Sequence, residues 1–266
     1  DCAHGAGFET APEALLHCGA DLTVIGAGPD GININAGYGS TDTAALKAAV
    51  LKCGADIGLA LDGDADRVIV VDETGTEIDG DQVMALIARE LHAAGRLKGG
   101  GIVSTVMSNM GLDRYLQSLG LTLARTRVGD RYVGEHMRAR GFNFGGEPSG
   151  HIILSDVSTT GDGLLAGLHV LSVLAESGQK MSTLARVFEP APQELVNIRY
   201  AGANPMDSAR VKAALAEAES MMGTQGRMVV RKSGTEPLIR VMAEALEAGL
   251  MKRALQLVVD AVKAEA

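Results

Sequence analysis

Residues 57–80 read IGLALDGDADRVIVVDETGTEIDG. The first five are an unbroken apolar run, short for a helix and suited to a strand buried on both faces. The polar loop Asp62-Gly63-Asp64-Ala65-Asp66 stops that run. After it, RVIVVD, the Glu-Thr-Gly turn and a second extended piece predict a hairpin that closes a folding unit near Asp79.

Upstream, the pattern predicts a helix over residues 12–18, a short strand over 21–25, a helix over 43–53 and a strand over 56–61. Helix and strand in alternation give α/β rhythm, and residues 1–78 form a first domain. The chain opens at Asp1 in DCAHGAG without a Met, so it reads as a fragment whose leading strand is cut. Downstream, helices are expected over 82–94, 112–119, 130–139 and 162–176, with strands over 102–106 and 121–125. FNFGGEPSGHIIL, between the last two helices, reads as two extended pieces around a Gly/Pro excursion. Residues 79–188 are thus a second α/β domain. After the prolines of FEPAPQ, the order becomes strand 195–200, helix 208–222, strands 228–231 and 238–243, and helix 250–263. Two consecutive strands between helices predict a smaller α+β domain over 189–266.

Bulk properties bound the function. With 266 residues and 46% hydrophobic content, the chain can bury substantial cores. A net charge of −9 without any Lys/Arg-rich run argues against a nucleic-acid partner, which needs clustered positive charge along its backbone. No apolar run reaches the ~18 residues of a membrane span, so no membrane partner is expected. The three cysteines, Cys2, Cys18 and Cys53, lack the spacing of a zinc site or disulfide framework and fit a reducing cytoplasm.

Three loops carry groups suited to chemistry. Asp62, Asp64 and Asp66 alternate along an open turn, so their carboxylates can meet at one point, where a cation relieves their repulsion. Hard oxygen ligands favour Mg²⁺. The spacing also occurs in EF-hand loops, but Arg67 occupies the position where those need glycine. An aspartyl-nucleophile phosphatase, with Asp62 attacking, and a plain solvated acidic turn remain open readings. In the second loop, Gly145 to His151, Glu147, Ser149 and His151 offer an acceptor, a hydroxyl and an imidazole, as sugar recognition requires; an ordinary turn reads equally from those glycines. The third, Arg231 to Arg240, holds two arginines, a lysine, two hydroxyls and Gly234, which is the equipment for gripping a phosphate dianion, or else a basic turn. A fourth charged stretch, RVGDR at 127–131, precedes a helix, so its amides could position an anion at the helix N-terminus, or Asp130 could simply cap that helix, which is the favoured reading.

Taken together and in order, DGDADR, VGDR, GEPSGH and RKSGTEPLIR resemble the α-D-phosphohexomutase superfamily along essentially the whole chain. DCAHGAG, TVMSNMGL at 105–112, VGDRYV and TTGDGLLAG at 159–167 resemble the branch that acts on glucosamine phosphates more than those acting on mannose or glucose phosphates. The resemblance implies a Mg²⁺ held by Asp62, Asp64 and Asp66, with Arg67 beside the phosphoryl group in transfer. It implies Glu147, Ser149 and His151 at the sugar, and Arg231, Ser233, Gly234, Thr235 and Arg240 at the phosphate that is not reacting. It also implies a hexosamine phosphate substrate and a separate N-terminal domain with a phosphoserine loop of pattern Thr-Ala-Ser-His-Asn-Pro. No such pattern occurs here, so the fragment alone is expected to be inactive as a mutase.

Overall fold

The computed structural model describes every residue except 203, 234 and 235. It divides into two compact units, Asp1–Ser108 with Leu112–Phe188, and Asn109–Gly111 with Glu189–Ala266. Among the described residues, no helix is long and apolar enough to cross a membrane.

The first unit holds two sheets. One is an antiparallel meander of β1 (Ile57–Leu61), β2 (Val68–Asp72) and β3 (Glu77–Ile78) in that order. Its hairpin is set by Asp72, only 2% exposed, whose Oδ1 accepts from Thr74 N, Thr74 Oγ and Thr76 N while Gly75 turns at φ 80°. That is an Asx-type turn, with the side chain replacing a missing backbone acceptor. α1 (Thr10–His17) and α2 (Ala44–Cys53) precede it. Leu46 and Val50 on α2 pack with Ala60 and Val71. The expected strand over 21–25 is a correction: no strand forms there. A strand needs a laddered neighbour, and the one described backbone bond that this segment's carbonyls accept runs from Cys2 N to Ile25 O.

The second sheet contains β4 (Gly101–Thr105), β5 (Thr122–Thr126), β6 (Phe144–Gly146) and β7 (Ile152–Leu154), in the order β5-β4-β6-β7. β4 runs parallel to β5 and β6, and β7 returns antiparallel to β6. Parallel neighbours require crossovers, and α4 (Met110–Ser118) and α5 (Asp130–Arg140) supply them. α3 (Gly80–Ala93) and α6 (Gly163–Ser177) complete the layer, followed by the short α7 (Met181–Leu184), a turn of helix absent from the sequence reading. α3 is buried along nearly its whole length. Its Val83, Met84, Leu86 and Ile87 share one core with Val68 and Val70 of β2 and Phe144 and Ile152 of the second sheet. This shared core fixes the loops of the two sheets against each other, because a close-packed interior tolerates little sliding.

The second unit is two-layered α+β. β8 (Gln193–Arg199), β9 (Gly226–Lys232) and β10 (Leu238–Ala245) form an antiparallel sheet in the order β8-β10-β9. α8 (Ala209–Met222) and α9 (Ala248–Ala264) pack together with that sheet. On α9, Met251, Ala254, Leu255, Val258 and Val262 recur at three and four residues and are all buried.

Candidate functional site

The loop after β1 makes its turn through Ala65, which sits in the left-handed region at φ 62° with its N–H bonded to Asp62 O. A non-glycine residue there costs about 1 kcal/mol, so surrounding contacts must hold the turn. They do. Ala6 N donates to Gly63 O, and a Cβ on Gly5 would lie 2.3 Å from that same oxygen. On the other side, a Cβ on Gly63 would meet the Ile34 side chain at 2.6 Å. The loop is thus wedged between the DCAHGAG turn and the 34–35 segment.

This wedging turns three acids toward one point. One carboxylate oxygen each from Asp62, Asp64 and Asp66 lies within 4.8 Å of the others. Asp62 is buried at 8%, Asp66 is intermediate and Asp64 is exposed, so the cluster is open to solvent on one side. Asp62 Oδ1 accepts from Arg67 N at 3.0 Å, and Arg67 Nε lies 3.7 Å from Asp62 and 3.6 Å from Asp66. Burial, reinforced by a hydrogen bond that the protonated Asp66 donates to Asp62 and by the charge of Asp62, pushes Asp66 up from 3.8 to about 6. Asp66 Oδ1 is buried with no hydrogen-bond partner among the described residues. Crowded like charges with an unsatisfied inward oxygen fit a cation with hard oxygen ligands. The Asp-rich loop is able to hold a metal ion. The engagement of Asp62 by Arg67 N and its burial disfavour the reading in which Asp62 is a free nucleophile.

The second loop is bound directly to the first. Val68 N donates to Gly150 O, and Arg67 and His151 form an isolated antiparallel bridge. His151, 2% exposed, places Nε2 3.3 Å from Asp66 Oδ2, though not aligned for a hydrogen bond. Within the loop, Glu147 N donates to His151 O, Gly150 N to Glu147 O and Gly80 N to Pro148 O. The carboxylate of Glu147, 9% exposed, accepts from Gly129 N at 3.0 Å. Ser149 is exposed. Of the sequence-predicted groups in this unit, Asp62, Asp64, Asp66, Arg67 and His151 therefore lie together, with Glu147 and Ser149 on the adjoining turn.

In the second unit, Arg231 and Arg240 are cross-strand partners on β9 and β10. Burial first and the charge of Arg240 second push the Arg231 guanidinium down from its ordinary value. Both Nε atoms are buried and lack partners among the described residues. Ser233, buried at 5%, follows β9 and donates its N–H to Leu238 O. Two cations held side by side are destabilising unless an anion bridges them. Gly234 and Thr235 lie outside the described residues.

Sequence reasoning missed two participants. TTGDGLLAG served only as a resemblance, yet Gly161 lies over the His151 ring, where a Cβ would approach to 2.3 Å. Gly163 N donates to Ala65 O, and a Cβ there would come within 2.2 Å of Arg67 O. The G-D-G spacing was the available signal, since glycines two apart before a helix mark a close backbone approach. The Asp130 cap is a correction: Gly129 is the N-cap of α5, with no side-chain capping bond and Asp130 already inside the helix, while the loop amide of Gly129 meets a carboxylate, as the other reading of that loop allowed.

Comparison with known proteins gives a consistent pattern. Family models match residues 1–75 as phosphoglucomutase/phosphomannomutase alpha/beta/alpha domain II, 79–191 as domain III and 195–261 as the C-terminal domain. A phosphoglucosamine mutase of Hyphomonas neptunium is 75% identical over 266 residues, and one from Ruegeria sp. is 57% identical over 265. These alignments cover 100% and 99% of this chain, which spans 59% of the length of each relative. Among solved structures, a phosphoglucomutase/phosphomannomutase family protein from Burkholderia thailandensis superposes with TM-score 0.80 at 22% identity, covering 100% of this chain and 59% of that one. An Aspergillus fumigatus N-acetylphosphoglucosamine mutase, solved with GlcNAc-6P and magnesium, gives TM-score 0.77 at 22% identity, covering 99% and 65%. At that identity, the structural matches speak to the fold.

Proposed function

Because this chain belongs to the phosphoglucomutase/phosphomannomutase family, with matches to its domains II, III and IV, we propose that it is part of a cytoplasmic enzyme that interconverts glucosamine 6-phosphate and glucosamine 1-phosphate. The observation that carries this reading is the union of two loops in one unit: three carboxylates within 4.8 Å of one another, joined through Asp66 and His151 to the turn that presents Glu147 and Ser149. An ion cradle next to a hydroxyl reader suits a phosphosugar.

The roles follow from charge and position. Asp62, Asp64 and Asp66 would hold Mg²⁺, which when bound neutralises charge at a phosphoryl group in transfer. Arg67, tied by its backbone to Asp62, presents its guanidinium to that same charge. Glu147 accepts from sugar hydroxyls and Ser149 completes the pattern. His151 also belongs to this set, and its burial against Asp66 suits it to steadying an ion ligand. Arg231, Ser233 and Arg240, with Gly234 and Thr235, take the phosphate that does not react. In the reaction, a phosphoserine outside this sequence gives its phosphoryl group to the free sugar oxygen and yields a bisphosphate. After the sugar turns end for end, the serine oxygen takes back the other phosphoryl group.

The test is a coupled assay for glucosamine 1-phosphate, run on this chain alone and on the full-length protein, with glucosamine, mannose and glucose 6-phosphates as substrates. The full-length protein is expected to prefer glucosamine 6-phosphate, and the chain alone to show no turnover. Robust conversion by the chain alone would overturn the phosphoserine assignment; preference for mannose or glucose would overturn the substrate.

A further inference from the structure

Glu147 has two carboxylate oxygens, and they are not equivalent. Oε1 accepts from Gly129 N at 3.0 Å across 18 residues of sequence. Among the described residues, no donor is found for the second oxygen. The rest of the turn is fixed by its own backbone bonds, so the side chain of Glu147 is the part left to be oriented. Gly129 can do this only as glycine. Its φ of 129° and ψ of 129° lie where an L-residue with a Cβ meets steep steric cost. A side chain at this position would rotate the peptide unit, and its N–H would no longer point at the carboxylate.

The surroundings hold Gly129 from the other side. Tyr132 N donates back to Gly129 O, and a Cβ on Gly129 would lie 3.3 Å from the Tyr132 ring. The Arg127 guanidinium stands over that ring, 4.2 Å from its centroid. The loop entering α5 is therefore fastened on both sides of the glycine.

We propose that Gly129 is a positioning residue for sugar recognition: its N–H clamps one oxygen of Glu147 and leaves the other as the face offered to a substrate hydroxyl. This rests on the reading of Glu147 as a hydroxyl acceptor. A carboxylate free to rotate would present either oxygen in many directions and lose orientation before each binding event.

Two measurements decide it. In this chain, amide exchange of Gly129 followed by NMR should be at least about tenfold slower in the wild type than in Glu147→Ala, as expected for a bonded loop amide. Equal rates would overturn the clamp without any reference to activity, and they decide the matter even if a glycine variant fails to fold. In the full-length protein, Gly129→Ala and Glu147→Ala should each raise KM for glucosamine 6-phosphate by about tenfold or more. Gly129→Ala should add no more than about twofold on the Glu147→Ala background, because the two act as one device. Fully multiplicative losses would make Gly129 merely structural and overturn the inference. An unchanged KM in Glu147→Ala alone, with slow exchange retained in the wild type, would instead sink the sugar-reading role of Glu147 on which the inference rests.

Discussion

Replacing Asp66 with Asn tests whether the acidic loop is an ion cradle under electrostatic stress. In the metal-free protein, the Asp66 carboxyl is pushed from 3.8 to about 6, first by burial and then by Asp62. At full strength this rise corresponds to about 3 kcal/mol of penalty on the charged form, and solvent screening at a side chain with 32% exposure reduces it to about 1 kcal/mol. The folded value lies above the unfolded one, so the penalty is fully present above about pH 6 and vanishes as pH falls toward 4. At pH 7.5 with a chelator present, Asp66→Asn should therefore raise the melting temperature of the first unit by about 2–4 °C. At pH 4.5 the gain should shrink to nothing. With Mg²⁺ at about ten times its Kd, the order should reverse: the wild type gains about 1.4 kcal/mol from binding and the variant loses most of it. Scanning calorimetry with and without Mg²⁺ reads all three conditions. If Asp66→Asn is less stable than the wild type in chelator at pH 7.5, or if Mg²⁺ stabilises both alike, the cradle argument fails.

Three further outcomes are expected. Gly150→Ala should cost about 2 kcal/mol or more, since φ is 89° and a Cβ would stand 2.2 Å from Val68 O; urea unfolding should show it, and Mg²⁺ affinity should fall with it. Arg240→Met removes the like charge facing Arg231, so the second unit should be unchanged or a few tenths of a kcal/mol more stable without anions and should lose most of its stabilisation by millimolar inorganic phosphate, read by thermal melts. Asp79 caps α3 by accepting from Gln82 N, and burial pushes its carboxyl up; Asp79→Asn should match or exceed the wild type at pH 7 and lose that margin toward pH 4, whereas Asp79→Ala should cost about 1 kcal/mol in chemical denaturation.

Most of the architecture was legible because its cores obey simple periods. The run at 57–61 and the buried stripe of α9 announce their elements without help from tertiary context. The segment 21–25 failed because strand propensity is realised only against a neighbour, and sequence pattern does not report whether one is present. In the site, charged residues were visible as chemistry, and Asp62, Asp64 and Asp66 do converge. What stayed hidden was made of glycine. Gly5, Gly161 and Gly163 bring backbone or ring within distances where a Cβ would collide, and absence of a side chain leaves little trace in composition. His151 shows the opposite limit: the sequence left it open between a ligand-facing and a structural histidine, and only the structure shows it buried beside Asp66.

The lacing of residues 67–68 to 150–151 has a kinetic corollary. Floor and wall here are a single casting, so neither can swing aside while the other stays put. Any ligand held by these two loops would therefore meet them as one fixed bed.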